Sequence, residues 1–199
     1  MKIKALAAMC KRKGTFRLYD RKNEDGKVIE QWLGTSEAVY PIYGVPYLTE
    51  ENIITLFDIS EKQWKSYSFI HAPLPSGYCF DHTDSREVML DREKMTLGYG
   101  GRIVRPLITR DGLEFIDDDF LTPLSDVADM LEIHERRTEN DRVYFAAKVG
   151  LMIVGVIMPL TIIETRFVEN METLVSKCRA AFDGRNERER REQEQMTLI

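Results

Sequence analysis

The sequence predicts an α+β fold, antiparallel β-meanders packed with helices, and three observations carry that expectation. Residues 130–135 alternate apolar and polar side chains, and 142–148 and 151–158 follow across short turn-like joints, the pattern of a three-stranded meander. Beyond Pro159, Phe167, Met171, Leu174, Val175, Cys178 and Phe182 recur at three- and four-residue steps with Glu169, Glu172, Lys177 and Arg179 between them. That spacing predicts a helix over 165–182 with one apolar face packed on the meander. The N-terminal third shows a similar order of helix, three short strands and helix.

Residues 1–10 are basic and then apolar, but Lys11, Arg12 and Lys13 cut the run short, so a short amphipathic helix is expected in place of a signal sequence. Gly14 is placed to end that helix. The alternating residues 15–19, the turn 23–26, the run 28–33, a second turn at 34–36 and the run 38–42 predict three short strands. Thr49 then stands as an N-cap, with Glu50 and Glu51 in the first turn and Ile53, Ile54, Leu56 and Phe57 as the apolar stripe of a helix. Trp64, Tyr67 and Phe69 predict a strand leading into the proline-rich loop 72–77, and 95–108 predicts strands around a glycine turn. Residues 111–119 carry Asp111, Glu114, Asp117, Asp118 and Asp119 and read as an acidic loop or edge. A short helical turn is expected over 125–129. The stretch 151–158 has no charge for a wet face, so it is expected to be covered on both sides, and Pro159, which has no N–H for a ladder, ends it.

The third strand of each meander ends in an apolar-Pro-apolar step shortly before a helix, at Tyr40-Pro41-Ile42 and Met158-Pro159-Leu160, which raises an internal pseudo-repeat. Convergent patterning within an α+β domain is the other reading. One compact body is expected over 1–182, with sub-units of about 1–60, 61–120 and 121–182, followed by a charged tail over 183–199. Its core should include Leu6, Phe16, Leu18, Trp32, Val39, Ile53, Leu56, Phe57, Phe145, Ile153, Val156, Phe167, Leu174 and Val175.

The 199 residues are 43% hydrophobic and 31% charged, a globular composition, and the net charge of −5 argues against strong direct nucleic-acid binding, which needs a phosphate-neutralising surface. Cys10, Cys79 and Cys178 are odd in number and far apart, which fits reduced thiols in a cytoplasmic protein better than a disulfide frame or a zinc site. The longest charge-free run, 149–163, is shorter than the ~20 residues that cross a bilayer, so no membrane span is expected.

No catalytic residue, cofactor or metal is expected from the motifs. Gly98, Gly100 and Gly101 lack the Lys-Ser/Thr ending of a phosphate loop and the dinucleotide spacing, and read as a strand turn. Cys79, Asp81, His82 and Asp84 form the one cluster rich in ligand-type side chains, but no second ligand pair accompanies it, and a polar surface loop is expected. The adjacent Asp117, Asp118 and Asp119 point in different directions on any regular element and read as a solvated loop.

The C-terminal segment is the sharpest functional feature. Asp183 and Gly184 are placed to end the helical stripe, and residues 185–194 hold four Arg and four Glu with no apolar anchor, a solvated helix extension or a flexible tether. Met196, Leu198 and Ile199 then appear at the tip. Gln195, Met196, Thr197, Leu198 and Ile199 resemble the pentapeptide by which bacterial polymerases and replication factors engage the replicative sliding clamp: glutamine, an aliphatic residue, a small polar residue, leucine, then usually phenylalanine. The resemblance implies that Gln195 hydrogen-bonds at the rim of the clamp's pocket while Met196, Leu198 and Ile199 fill its apolar subsites. Met196 and Ile199 depart from the commonest residues at their positions. The body, through residues 4–10 and 156–160, resembles small proteins encoded by prophages and integrated elements of Gram-positive anaerobes, a group that brings no active residues with it.

The expectation is therefore a cytoplasmic, non-enzymatic phage or mobile-element protein that binds the host DNA replication machinery, the sliding clamp, through its C-terminal peptide. Two alternatives stand beside it. A ring-forming or otherwise self-assembling clamp-like module, a homo-oligomer, would use the apolar strand 151–158 as a subunit edge. A small enzyme would act through Asp81, His82 and nearby carboxylates.

Overall fold

Helix α1 (Ile3–Lys13) forms because Leu6, Met9 and Cys10, three and four residues apart, share one buried face, and Lys11, Arg12 and Lys13 complement the negative end of its dipole. It stops at Gly14, whose φ of 64° lies in the left-handed region, where a side chain would be strained. In this computed structural model the backbone is described for residues 1–91, 95–160 and 164–197, and the side chains of these except 165, 168 and 189–197. The chain divides into two compact units, Met1–Leu160 and Thr161–Ile199.

The first unit is α+β, as the sequence predicts. β1 (Thr15–Lys22), β2 (Val28–Gly34) and β3 (Ala38–Pro41) form the first antiparallel meander. Two short helices follow, α2 (Glu50–Leu56) and α3 (Glu61–Trp64), each started by a reciprocal capping box, Thr49 with Asn52 and Ser60 with Gln63. They carry the chain to β4 (Ser68–Pro73), which lies parallel to β1. β5 (Val88–Leu90) precedes a separate three-stranded sheet of β6 (Leu97–Tyr99), β7 (Arg102–Thr109) and β8 (Gly112–Asp117). Two 3-10 segments, Asp118–Leu124 and Ala128–Met130, lead to the second meander, β9 (Leu131–Arg137), β10 (Val143–Val149) and β11 (Met152–Ile157).

The two meanders join through their third strands, Val39 opposite Val156 and Ala38 opposite Ile157, giving an eight-stranded sheet in the order β4-β1-β2-β3-β11-β10-β9-β5. The flanking elements differ, β4 parallel on one side and β5 antiparallel on the other, and the arrangement does not establish a repeat. This topology corrects the subunit-edge reading of 151–158: β11 is paired on both sides, and the edges are β4 and β5. A charge-free strand belongs in the middle of a sheet, whereas β4 ends at Pro73, which has no N–H to offer a neighbour.

Both faces of the large sheet are covered. One carries the main core, with Leu6, Met9 and Cys10 of α1, Phe16, Leu33, Tyr40, Phe145 and Phe120 all buried. Tyr40 donates its hydroxyl to the Phe120 carbonyl at 2.5 Å, tying β3 to the 3-10 segment. The other face holds Trp32, Val39, Tyr144, Ala146, Ile153 and Val156 with Phe80. Phe80 meets Trp32 edge-on at 4.9 Å, so the loop after β4 is the lid of this second core.

Ten of the expected core residues are buried: Leu6, Phe16, Leu18, Trp32, Val39, Ile53, Phe57, Phe145, Ile153 and Val156. Leu56 is 51% exposed, because in the short α2 the pair Ile53 and Phe57 takes the inward face. Leu174 and Val175 are also exposed. Trp64 does not begin a strand; the Ser60–Gln63 box nucleates a helical turn, and the indole packs on Phe16 and Phe69 at 5.5 and 5.3 Å. The acidic stretch over 111–119, expected as a loop or edge, is the edge strand β8 and the start of a 3-10 segment.

The second unit is α4 (Thr165–Thr197), one continuous helix of 33 residues. The expected stop at Asp183 and Gly184 does not occur, because a single glycine costs a long helix only ~1 kcal/mol and the Arg/Glu run beyond it has good helix propensity. Among the described residues no helix is long and apolar enough to cross a membrane.

Candidate functional site

α4 places Gln195, Met196 and Thr197 at the end of its backbone, with their side chains outside the described residues, and Leu198 and Ile199 lie wholly outside them. Within the rest of the helix Leu174, Val175 and Phe182 are exposed, at 58%, 63% and 62%, while Phe167 and Met171 are half-buried. Contiguous exposed apolar surface is characteristic of a binding face.

Cys79, Asp81 and His82 sit in the lid over the second core and are fastened from below. Arg136, fully buried on β9, donates to the carbonyls of Cys79 at 3.0 Å, Asp81 at 2.9 Å and His82 at 3.4 Å. The same guanidinium holds Glu87 Oε2 at 2.5 and 2.8 Å, and Lys148 of β10 holds Glu87 Oε1 at 2.5 Å. Tyr144 Oη accepts from the Cys79 N–H, and His82 Nδ1 accepts from the Ile153 N–H. Arg136 and Lys148 share one face with His134 because β-strand side chains alternate, and Arg136 pairs across the ladder with Tyr144. Burial pushes the Glu87 carboxyl up, and the hydrogen bonds from Lys148 and Arg136 outweigh it, leaving its pKa below the ordinary carboxylate value. The cluster lies on the polar surface loop expected, with Asp81 and His82 exposed and Asp81 paired to Arg21 at 2.9 Å, and what the sequence did not show is the buried Arg136 that fastens its backbone from below.

The acidic run and the glycine turn, separated in sequence, meet in one cleft of about 520 Å³ lined by Arg12, Lys13, Gly101, Arg102, Asp117, Asp118 and Asp119. Asp117 is not a solvated loop residue: it is 3% exposed and caps the 3-10 segment by accepting from the Asp119 N–H. Lys13 reaches Asp117 at 2.6 Å, Arg12 reaches Asp119 at 2.5 Å, and Arg105 reaches Asp118 at 2.7 Å. The basic end of α1 therefore answers Asp117 and Asp119, and Arg105 of β7 answers Asp118, a complementarity whose α1 half is visible in the sequence only as two opposite charge clusters, with Lys13 and Asp117 104 residues apart. Gly100 and Gly101 take φ of 55° and 77° in the β6–β7 turn, the strand turn expected. Among the described residues no three His, Cys, Asp or Glu side chains are grouped to hold a metal ion.

Two further grooves lie among the described residues, the first of them apolar. One of about 380 Å³ runs between α1 and α2 over Ile3, Ala7, Ala8, Leu56 and Phe57. The other, about 320 Å³, is walled by Ile29, Tyr43, Val45, Pro46 and Tyr47. Burial first, and then the neighbouring Glu30 carboxylate, push the Tyr43 hydroxyl up to about 12, so it stays a neutral donor to Glu30.

No family model matches the chain, and no curated protein or solved structure matches it significantly.

Proposed function

We propose that this chain is a non-enzymatic binding protein whose folded unit carries α4 as an interaction helix, with Gln195, Met196, Thr197, Leu198 and Ile199 as the segment that engages a bacterial replicative sliding clamp. The observation that carries the reading is the continuity of α4 through the Arg/Glu-rich run to Thr197. A polar helix cannot bury itself, and at ~1.5 Å per residue it is a spacer leading to an apolar tip. The body supports a binding role in a second way. Two of its clusters of ionisable groups, the Arg136–Glu87–Lys148 clasp and the Arg12, Lys13 and Asp117–119 cluster, are engaged in holding elements of the fold together.

A short terminal peptide with three apolar anchors gives an affinity on the order of micromolar, since few groups are buried and the segment must be ordered. Calorimetry of the intact chain against purified bacterial sliding clamp should show that binding, and the chain lacking Gln195 to Ile199 should show none. Equal binding by both, or binding by neither well above micromolar concentration, would remove the clamp from the reading.

A further inference from the structure

The apolar stripe of α4 has a seven-residue spacing: Phe167, Leu174 and Ala181 form one row, Met171 and Cys178 a second, Val175 and Phe182 a third. That period keeps a seam on one side of a helix when its partner is another helix. Leu174, Val175, Cys178, Ala181 and Phe182 are exposed along it, and an amphipathic helix gains most of its stability by covering such a face. We propose that a second copy of this chain covers it, the two α4 helices pairing antiparallel over residues 167–182.

Charge placement selects both the partner and the direction. At ~100° per residue, Glu172 and Arg179 flank the same side of the stripe, and Asn170 and Lys177 flank the other. An antiparallel pair brings like flanks together. With the two-fold axis between Val175 and Ser176, Glu172 of each helix meets Arg179 of the other. A parallel pair in register does the opposite. Arg185, about five turns below Phe167 at ~3.6 residues per turn, lies on the line of the seam and would face its own copy, as would Cys178. The antiparallel arrangement also lets the two Arg/Glu-rich halves diverge, so that pairing leaves Gln195 to Ile199 at opposite ends.

Light scattering of the full chain over a concentration series tests this. The mass is expected to rise from 23.1 kDa toward twice that value as concentration passes through the micromolar range. Leu174→Glu with Val175→Glu should leave a monomer throughout, with the emission of Trp32 and Trp64 in the folded body unchanged. Glu172→Arg alone should weaken pairing roughly five- to tenfold, because two exposed ion pairs become repulsions, and Arg179→Glu added to it should restore the dimer. Deleting Gln195 to Ile199 should leave the mass unchanged, which separates this surface from clamp binding. A monomer at several hundred micromolar overturns the proposal, as does a dimer that survives the double glutamate substitution. Ready disulfide cross-linking of Cys178 to its own copy overturns the antiparallel direction.

Discussion

Replacing Arg136 with methionine is expected to destabilise the folded body by about 3 kcal/mol, because it removes the buried cation that satisfies four part-buried acceptors at once. The methionine fills the apolar space but leaves the carbonyls of Cys79, Asp81 and His82 without their donor and leaves Glu87 with Lys148 alone. The loss should begin at the lid, so amide exchange over residues 79–82 accelerates first. Trp32 emission shifts toward that of a wetter indole as Phe80 lifts from it. Acid sharpens the test. Glu87 has a folded pKa below its unfolded value of about 4.3. Its contribution is therefore complete above that pH and is lost as pH falls through the lower folded value. The gap in stability between wild type and Arg136→Met should accordingly narrow below about pH 4, where protonated Glu87 no longer needs two cations. A substitution that leaves both the midpoint of unfolding and lid exchange unchanged would show that the clasp does not hold the lid.

The second large effect is expected at the joint between the meanders. A Cβ on Gly34 would stand 2.0 Å from the Ala38 carbonyl oxygen and 2.7 Å from the Val39 Cα, both backbone, so no side chain can swing aside to relieve it. Gly34→Ala must push β3 away from β2, and β3 is the strand that holds the two halves of the sheet together through Val39 and Val156. A cost of roughly 3 kcal/mol or more is expected, at or beyond the upper end of overpacking effects. Thermal unfolding should lose cooperativity as the two meanders uncouple. Gly155→Ala is the control. Its Cβ meets the Tyr40 ring at 3.1 Å, so the ring has to give by only a few tenths of an ångström, and the effect should be about 1 kcal/mol. Equal destabilisation by the two substitutions would mean that the hairpin at Gly34 is not what fixes the joint.

The strands of both meanders were legible because a half-buried strand must alternate, and α1 and α2 because a buried stripe and a capping residue are local. Trp64 and Tyr67 depart from the expected strand because aromatic side chains match a strand's pattern, while the deciding Ser60–Gln63 capping box is a purely polar signal. The run Asp117, Asp118 and Asp119 looked solvated for a similar reason: the charges that neutralise it, Arg12, Lys13 and Arg105, arrive from distant parts of the chain.

By itself the sequence determined the α+β class, the order of most elements, ten buried core positions and the polar C-terminal segment with its apolar tip. These follow from the periods of helix and strand and from turn chemistry, which act over a few neighbouring residues. Tertiary structure alone decided that the meanders join through β3 and β11, that Arg136 clasps the Cys79–His82 lid, and that Asp117 is buried against Lys13 at the end of α1. Those outcomes depend on which strand edge finds which partner and where a buried charge meets its counter-ion, and the pairing free energy lies in contacts between residues far apart in the chain.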